Sequence, residues 1–174
     1  MLRHLFAYLR QPMDFVTSLL TDAASPSQMA LGFSLGMLVG LVPKGNLTAG
    51  LLAVVVLAVR ANLATAGLAT LLFSWLGVLA DPLTHRLGLA LLSNDGARPF
   101  WDWLYRLPLV PWLQVHNTVV LGNLLCGLAL FLPVYALGRP AAERFMPWAV
   151  DRWQRWRLKW AVPAARWLAR WSVR

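Results

Sequence analysis

One cysteine, three histidines and seven acids are all that this 174-residue chain holds of the groups that build most reactive or metal-binding centres. The lone Cys126 lies inside an apolar run. That excludes a disulfide framework and a cysteine metal site, and leaves a small packing residue. His4, His85 and His116 lack the spacing of metal ligands. No Ser, His and Asp occur in a supporting context, and no glycine loop is built to cradle a phosphate. The expectation is a protein that is not an enzyme and uses no cofactor and no metal.

Charge is the second scarcity. Charged residues make up 13% of the chain, against roughly 25% in a soluble domain. Residues 23–43, 45–59, 61–80 and 112–138 carry no charge. The last run is followed by Arg139 to Arg174, which holds nine of the sixteen Lys and Arg but only Glu143 and Asp151 as acids. A helix of about 20 apolar residues satisfies its own backbone in hydrocarbon. Lys and Arg close to such a span stay on the cytoplasmic side. The net charge of +9 is therefore a membrane signal, not a nucleic-acid one, because it is concentrated in a Trp-rich tail beside a span. The length allows one compact membrane domain and no separate catalytic domain.

The expected fold is an all-α integral membrane protein: a broken helical hairpin plus two full spans, flanked by interfacial amphipathic helices. Residues 1–22 form an N-terminal amphipathic cytoplasmic segment, with Leu2, Leu5, Phe6, Leu9 and Val16 at helical spacing. Pro12, Asp14 and Asp22 interrupt any secretory-signal core there. The membrane domain covers 23–138. Ser25-Pro26-Ser27-Gln28 begins the hairpin (25–60), with Ser25 as N-cap, Pro26 at the first helical position and Gln28 closing a capping box. Pro43-Lys44-Gly45-Asn46 breaks it. Each arm is short for a full span. Two readings stand: a re-entrant hairpin whose tip lies inside the membrane, or two short crossings.

A span over 61–80 ends at Asp81-Pro82, and a periplasmic and interfacial loop runs from 81 to 112. Within it, 83–92 is read as an interfacial helix, and Asp81 and His85 as a local ion pair capping the span. The second span is 113–138, with a kink expected near Pro133. Residues 139–174 form a cytoplasmic Trp/Arg-rich tail. On a helix advancing roughly 100° per residue, Trp153, Trp156, Trp160, Trp167 and Trp171 share one arc. Arg152, Arg155, Lys159, Arg166 and Arg170 share the neighbouring arc. That pattern suits the headgroup level of an anionic leaflet, with Pro163 kinking or dividing the tail. The parity places both termini in the cytoplasm of a multi-pass inner-membrane protein.

Three groups are candidate sites. Gly32, Gly36 and Gly40 make a double small-xxx-small face for close helix packing, against the second arm, another span or another chain. Lys44, Gly45 and Asn46 at the break are the lipid- or anion-binding candidate, since free N–H groups of the second arm join a cation there. The alternative is that Lys44 snorkels and neutralises the end of the first arm's dipole. Asn62, Asn117 and Asn123 are polar residues within or near spans, suited to hydrogen bonds between helices.

Ser25-Pro26-Ser27, Ala30-Leu31-Gly32-Phe33, Gly36, Gly40, Pro43 and Gly45 resemble the start of the small bacterial membrane proteins grouped as domain of unknown function 2062. Arg60, Asn62, Asp81-Pro82-Leu83-Thr84-His85-Arg86-Leu87-Gly88 and Asn117-Thr118-Val119-Val120-Leu121-Gly122 look like a subgroup encoded beside a larger envelope protein. The likeness covers roughly residues 12–138 and carries no activity onto any residue. It implies a non-enzymatic inner-membrane subunit of a cell-envelope complex. Such a subunit docks a larger periplasm-spanning partner and handles phospholipid in inter-membrane lipid transport. The competing expectation is a small oligomeric transporter or channel that uses the broken hairpin as its site.

Overall fold

The computed structural model describes the backbone of residues 25–171 and the side chains of 25–148, Asp151, Arg152 and Arg155. The N-terminal segment 1–22 lies outside the described residues, as do the side chains of the five tail tryptophans, Lys159, Arg166 and Arg170. Among the described residues the regular structure is helical. The elements are α1 (Pro26–Leu41), α2 (Leu47–Ala58), α3 (Leu63–Leu92), a 3-10 turn (Asp95–Ala97), α4 (Arg98–Tyr105), α5 (Val110–Leu113) and α6 (Thr118–Trp171).

Local chemistry sets most of the boundaries. Ser25 accepts from the Gln28 amide while the Gln28 side chain accepts from the Ser25 amide, so two orphan donors are met at the start of α1. Asn46 caps α2 through Ala49, and Asn62 caps α3 through Thr65. Gly45 has φ of +94°, a conformation that suits glycine, and it reverses the chain between α1 and α2.

Three helices form the core. α1 and α3 run parallel: Gly32 lies on Asn62, Gly36 on Ala66 and Gly40 on Thr70 and Phe73. α6 runs antiparallel to both, with Gly138 beside Ala30, Gly127 beside Leu38, and Gly122 beside Thr84. The parallel start of α1 and α3 requires the chain to come back, and α2 brings it back. The Asn62 amide donates to the Gln28 carbonyl at 3.0 Å, so both ends of the α1–α2 segment sit at one level. α1 reaches only to Gly77, about halfway along α3.

Two helices are long and apolar enough to cross a membrane, 63–92 and 118–148. Neither is a wrapped core helix: 17% and 28% of their most apolar windows are buried. Leu68, Trp75, Leu79, Leu132 and Leu137 all point outward. Water is a poor solvent for such a surface, and lipid a good one.

Two boundaries differ from the sequence reading. Asp81-Pro82 does not end the helix. α3 continues through it to Leu92, so residues 83–92 belong to the same helix and are not a separate interfacial one. Pro82 removes one backbone donor, but membrane helices tolerate this where hydroxyls and neighbouring helices support the turn. Here the Thr84 hydroxyl donates within that turn to Ala80 and Asp81, and α6 packs against it. The last helix begins at Thr118, not at 113, and it does not stop at Gly138. α6 continues without interruption through the tail and past Pro163. Pro133, Pro140 and Pro147 are exposed and seven residues apart, so they occupy one outer face and leave the packed face intact.

Candidate functional site

The α1/α3 seam is built from backbone. A methyl group added at Gly36 would meet the Ala66 carbonyl at 2.1 Å, and one at Gly32 the Asn62 carbonyl at 2.3 Å. Thr65 and Thr70 use the close approach, donating to the Met29 and Gly36 carbonyls at 3.1 Å. Phe33 meets Phe73 edge-on at 5.9 Å. The partner of the Gly32/Gly36/Gly40 face is therefore α3, neither the second arm nor another chain.

At the break, the Lys44 ammonium donates to the carbonyls of Gly40 at 2.7 Å and Val42 at 3.0 Å. It caps the negative end of α1, the alternative reading of this residue. Lys44 is nonetheless exposed. Asn46 ties the turn from both ends, donating to Pro43 and accepting from Ala49. Thr48 in the first turn of α2 donates to the Leu113 carbonyl at 2.7 Å, so the tip is moored to α5. Val42 and Ala49 pack with Val120 of α6.

The three asparagines separate into two roles. Asn62 and Asn117 cap their own helices, the second by accepting from Val119 and Val120. Asn123 bridges two helices. Its Nδ2 donates to Asp81 Oδ1 of α3 at 2.9 Å. This replaces the expected Asp81–His85 pair, because His85 turns its Nδ1 to the Thr118 hydroxyl at 2.6 Å. In a long helix Asp81 and His85 share a face one turn apart, and α6 supplies a better partner to each.

A glycine crossover brings these groups together. Gly88 lies directly on the backbone of Thr118, and Gly122 on that of Thr84, with no room for a side chain at either glycine. Each helix thus offers a Thr-xxx-Gly step, Thr84 to Gly88 and Thr118 to Gly122, and each glycine takes the other helix's threonine. The repeated spacing in the sequence carries this signal, and neither step is among the candidate sites named from the sequence. Asp81 lies one turn beyond Gly77, the last level α1 reaches. Asn123 lies close to Val120, which touches Val42. The polar seam therefore begins where α1 ends.

Beyond the spans, Tyr105 meets His116 edge-on at 5.9 Å, and its buried hydroxyl has no partner among the described residues. Burial pushes the Tyr105 phenol above its ordinary range. On the tail, a hydrogen bond from Arg155 holds the Asp151 carboxyl below the usual carboxylate range. Arg152 lies over the Trp148 ring at 5.9 Å. Among the described residues no three His, Cys, Asp or Glu side chains gather as metal ligands.

Comparison with known proteins gives a family and one distant relative. An uncharacterized protein of Treponema pallidum (strain Nichols) is 29% identical over 120 residues, covering 69% of this chain and 74% of that one. No solved structure matches. The family model described as "Uncharacterized protein conserved in bacteria (DUF2062)" matches residues 13–154, which takes in α1 to α5, the polar seam and the first part of the tail. On that match the chain belongs to the DUF2062 family.

Proposed function

We propose that this chain is a non-catalytic subunit of a bacterial inner membrane, with both termini in the cytoplasm, that docks a larger envelope protein and engages phospholipid at its hairpin tip. Lipid movement between membranes is the process this reading assigns to it. The observation that carries it is the returning hairpin. Its two ends share one level with the start of α3 and with Gly138 of α6, so Arg60, Arg139 and the basic tail gather at a single end. Basic residues of that kind hold to the cytoplasmic side. The exposed Lys44 then sits toward the opposite leaflet, with the Leu47 and Thr48 amides, which have no partner four residues back, beside it. The aromatic α4, with Phe100 and Trp103 exposed, suits the headgroup level at the same end.

The test is a photo-crosslinking amino acid at position 44 or 46 in cells, with tagged protein then purified. The expected products are a phospholipid adduct at the tip and a stoichiometric larger membrane partner. A clean monomer without lipid adducts defeats the reading. A small oligomeric transporter is the second reading, favoured by the Asp81–Asn123 pair inside the helical bundle. It predicts that Lys44→Ala changes flux in liposomes while the protein still folds.

A further inference from the structure

The α3/α6 seam contains a polar pair that neither docking nor packing requires. Asn123 is fully buried, at 0% exposure, on a helix whose neighbouring residues are apolar. Its amide nitrogen is spent on Asp81 Oδ1, and its Oδ1, also buried, has no donor. The facing group is a carboxylate, half-buried, on a helix apolar enough to span the membrane. Among the described residues no Lys, Arg or His forms an ion pair with Asp81. The Lys44 ammonium is held by Gly40 and Val42, His85 by Thr118, and Arg86 is exposed. Asp81 thus lies in a low-dielectric seam without a positive partner, beside an oxygen that lacks a donor. Both conditions are unfavourable, and a cation between them removes both at once.

The ligand chemistry follows from what the groups are. The groups left free to hold a cation, a carboxylate oxygen and an amide oxygen, are oxygen donors, which suits a hard cation. One carboxylate supplies one negative charge, which balances a monovalent ion and leaves a divalent one uncompensated. The same helix offers a third oxygen. Pro82 has no N–H, so the Val78 carbonyl one turn back lacks its helical donor. Freed backbone carbonyls are common alkali-cation ligands where membrane helices are interrupted. The helix spacing is set nearby, because Gly122 lies on Thr84 one turn away.

The geometry points to a monovalent alkali-cation site, of the sodium class, between the Asp81 carboxylate and Asn123 Oδ1 across the α3/α6 seam. Along α6, Asn123 is about 22 Å from Gly138, at 1.5 Å per residue, so the site lies toward the end of the spans that carries the hairpin tip. The site does not depend on whether the chain docks a partner or transports a solute. Its occupancy fastens α3 to α6, and so affects the stability of the whole bundle.

The experiment uses the full-length chain purified in detergent at fixed pH and ionic strength, with NaCl replacing choline chloride stepwise. The expected result is a saturable rise of several degrees in Tm with NaCl, with a smaller or absent rise for KCl and RbCl. Asp81→Asn abolishes the response, and Asn123→Leu reduces it. A Tm indifferent to the cation in the unmodified chain overturns the proposal, and so does an unchanged response in Asp81→Asn. A Tm that rises with acidification but ignores alkali cations also overturns it, in favour of a proton on Asp81. If Asp81→Asn fails to fold, sodium-23 relaxation titrated on the unmodified chain decides: competition by Li⁺ but not choline supports the site, and no bound fraction defeats it.

Discussion

α1 and α2 are two short apolar arms of one segment, and they fare differently. Nine of the sixteen residues of α1 are buried, against three of the twelve in α2. α2 is the more uniformly aliphatic arm, and it still leaves Leu51, Val54, Val55 and Leu57 exposed. Hydrophobicity therefore does not decide which arm enters the core. In lipid, apolar side chains gain nothing by leaving the solvent, so close fit decides. α1 has Gly32, Gly36 and Gly40 in register with the backbone of Asn62, which caps α3, and of Ala66 and Thr70 on it, with the Phe73 side chain beside Gly40. The one glycine of α2, Gly50, has nothing within 4 Å of the place its side chain would occupy.

Substitution tests this contrast most strongly at the glycines. Gly36→Leu forces a side chain into the Ala66 backbone, where neither helix can give way. The expected loss is at least about 3 kcal/mol, read as collapse of thermal unfolding in detergent or as failure to accumulate. If Gly36→Leu is tolerated, the α1/α3 register is wrong.

Ser25→Ala removes the capping box on which α1 starts, and is expected to cost about 1 kcal/mol in the same assay. Thr70→Val keeps the shape and removes the hydroxyl donated to Gly36. It is expected to cost about 0.6 kcal/mol, the usual size of a hydrogen bond between membrane helices. Gly50→Ala is the smallest effect and has the opposite sign. It adds helix preference in open space and is expected to stabilise by about 0.5 kcal/mol. A destabilising Gly50→Ala would mean that α2 has a packed neighbour and is not the loose arm of the pair.

The same contrast explains what could be read from the residues alone. The start of α1 was legible because a capping box is local: Ser25, Pro26 and Gln28 lie within four positions. The glycine face of α1 was legible as a surface. Its partner was not, because small-residue faces occur on α2, α3 and α6 alike and the sequence does not say which two meet. Pro82 was read as a stop because proline ends most water-exposed helices. In this seam the Thr84 hydroxyl and the close α6 backbone carry the chain past it. Asn123 was visible as a polar residue in a span. Its partner Asp81 lies 42 positions away, and only the antiparallel pairing of α3 with α6 brings them together. The continuity of α6 past Gly138 was not legible either, because the change from uncharged to basic residues at Arg139 marks a change of surroundings and does not say where the helix ends.

The outer face that three prolines of α6 share has a mechanical meaning. Each ring deletes one strut of the helical lattice, and at Pro133, Pro140 and Pro147 the deletions fall in a line. A rod weakened along a line yields in one plane and stays stiff in the plane at right angles, as a leaf spring does. A load applied to the C-terminal end of α6 would therefore be steered into a bend of fixed direction, toward or away from the bundle, with sideways sway resisted.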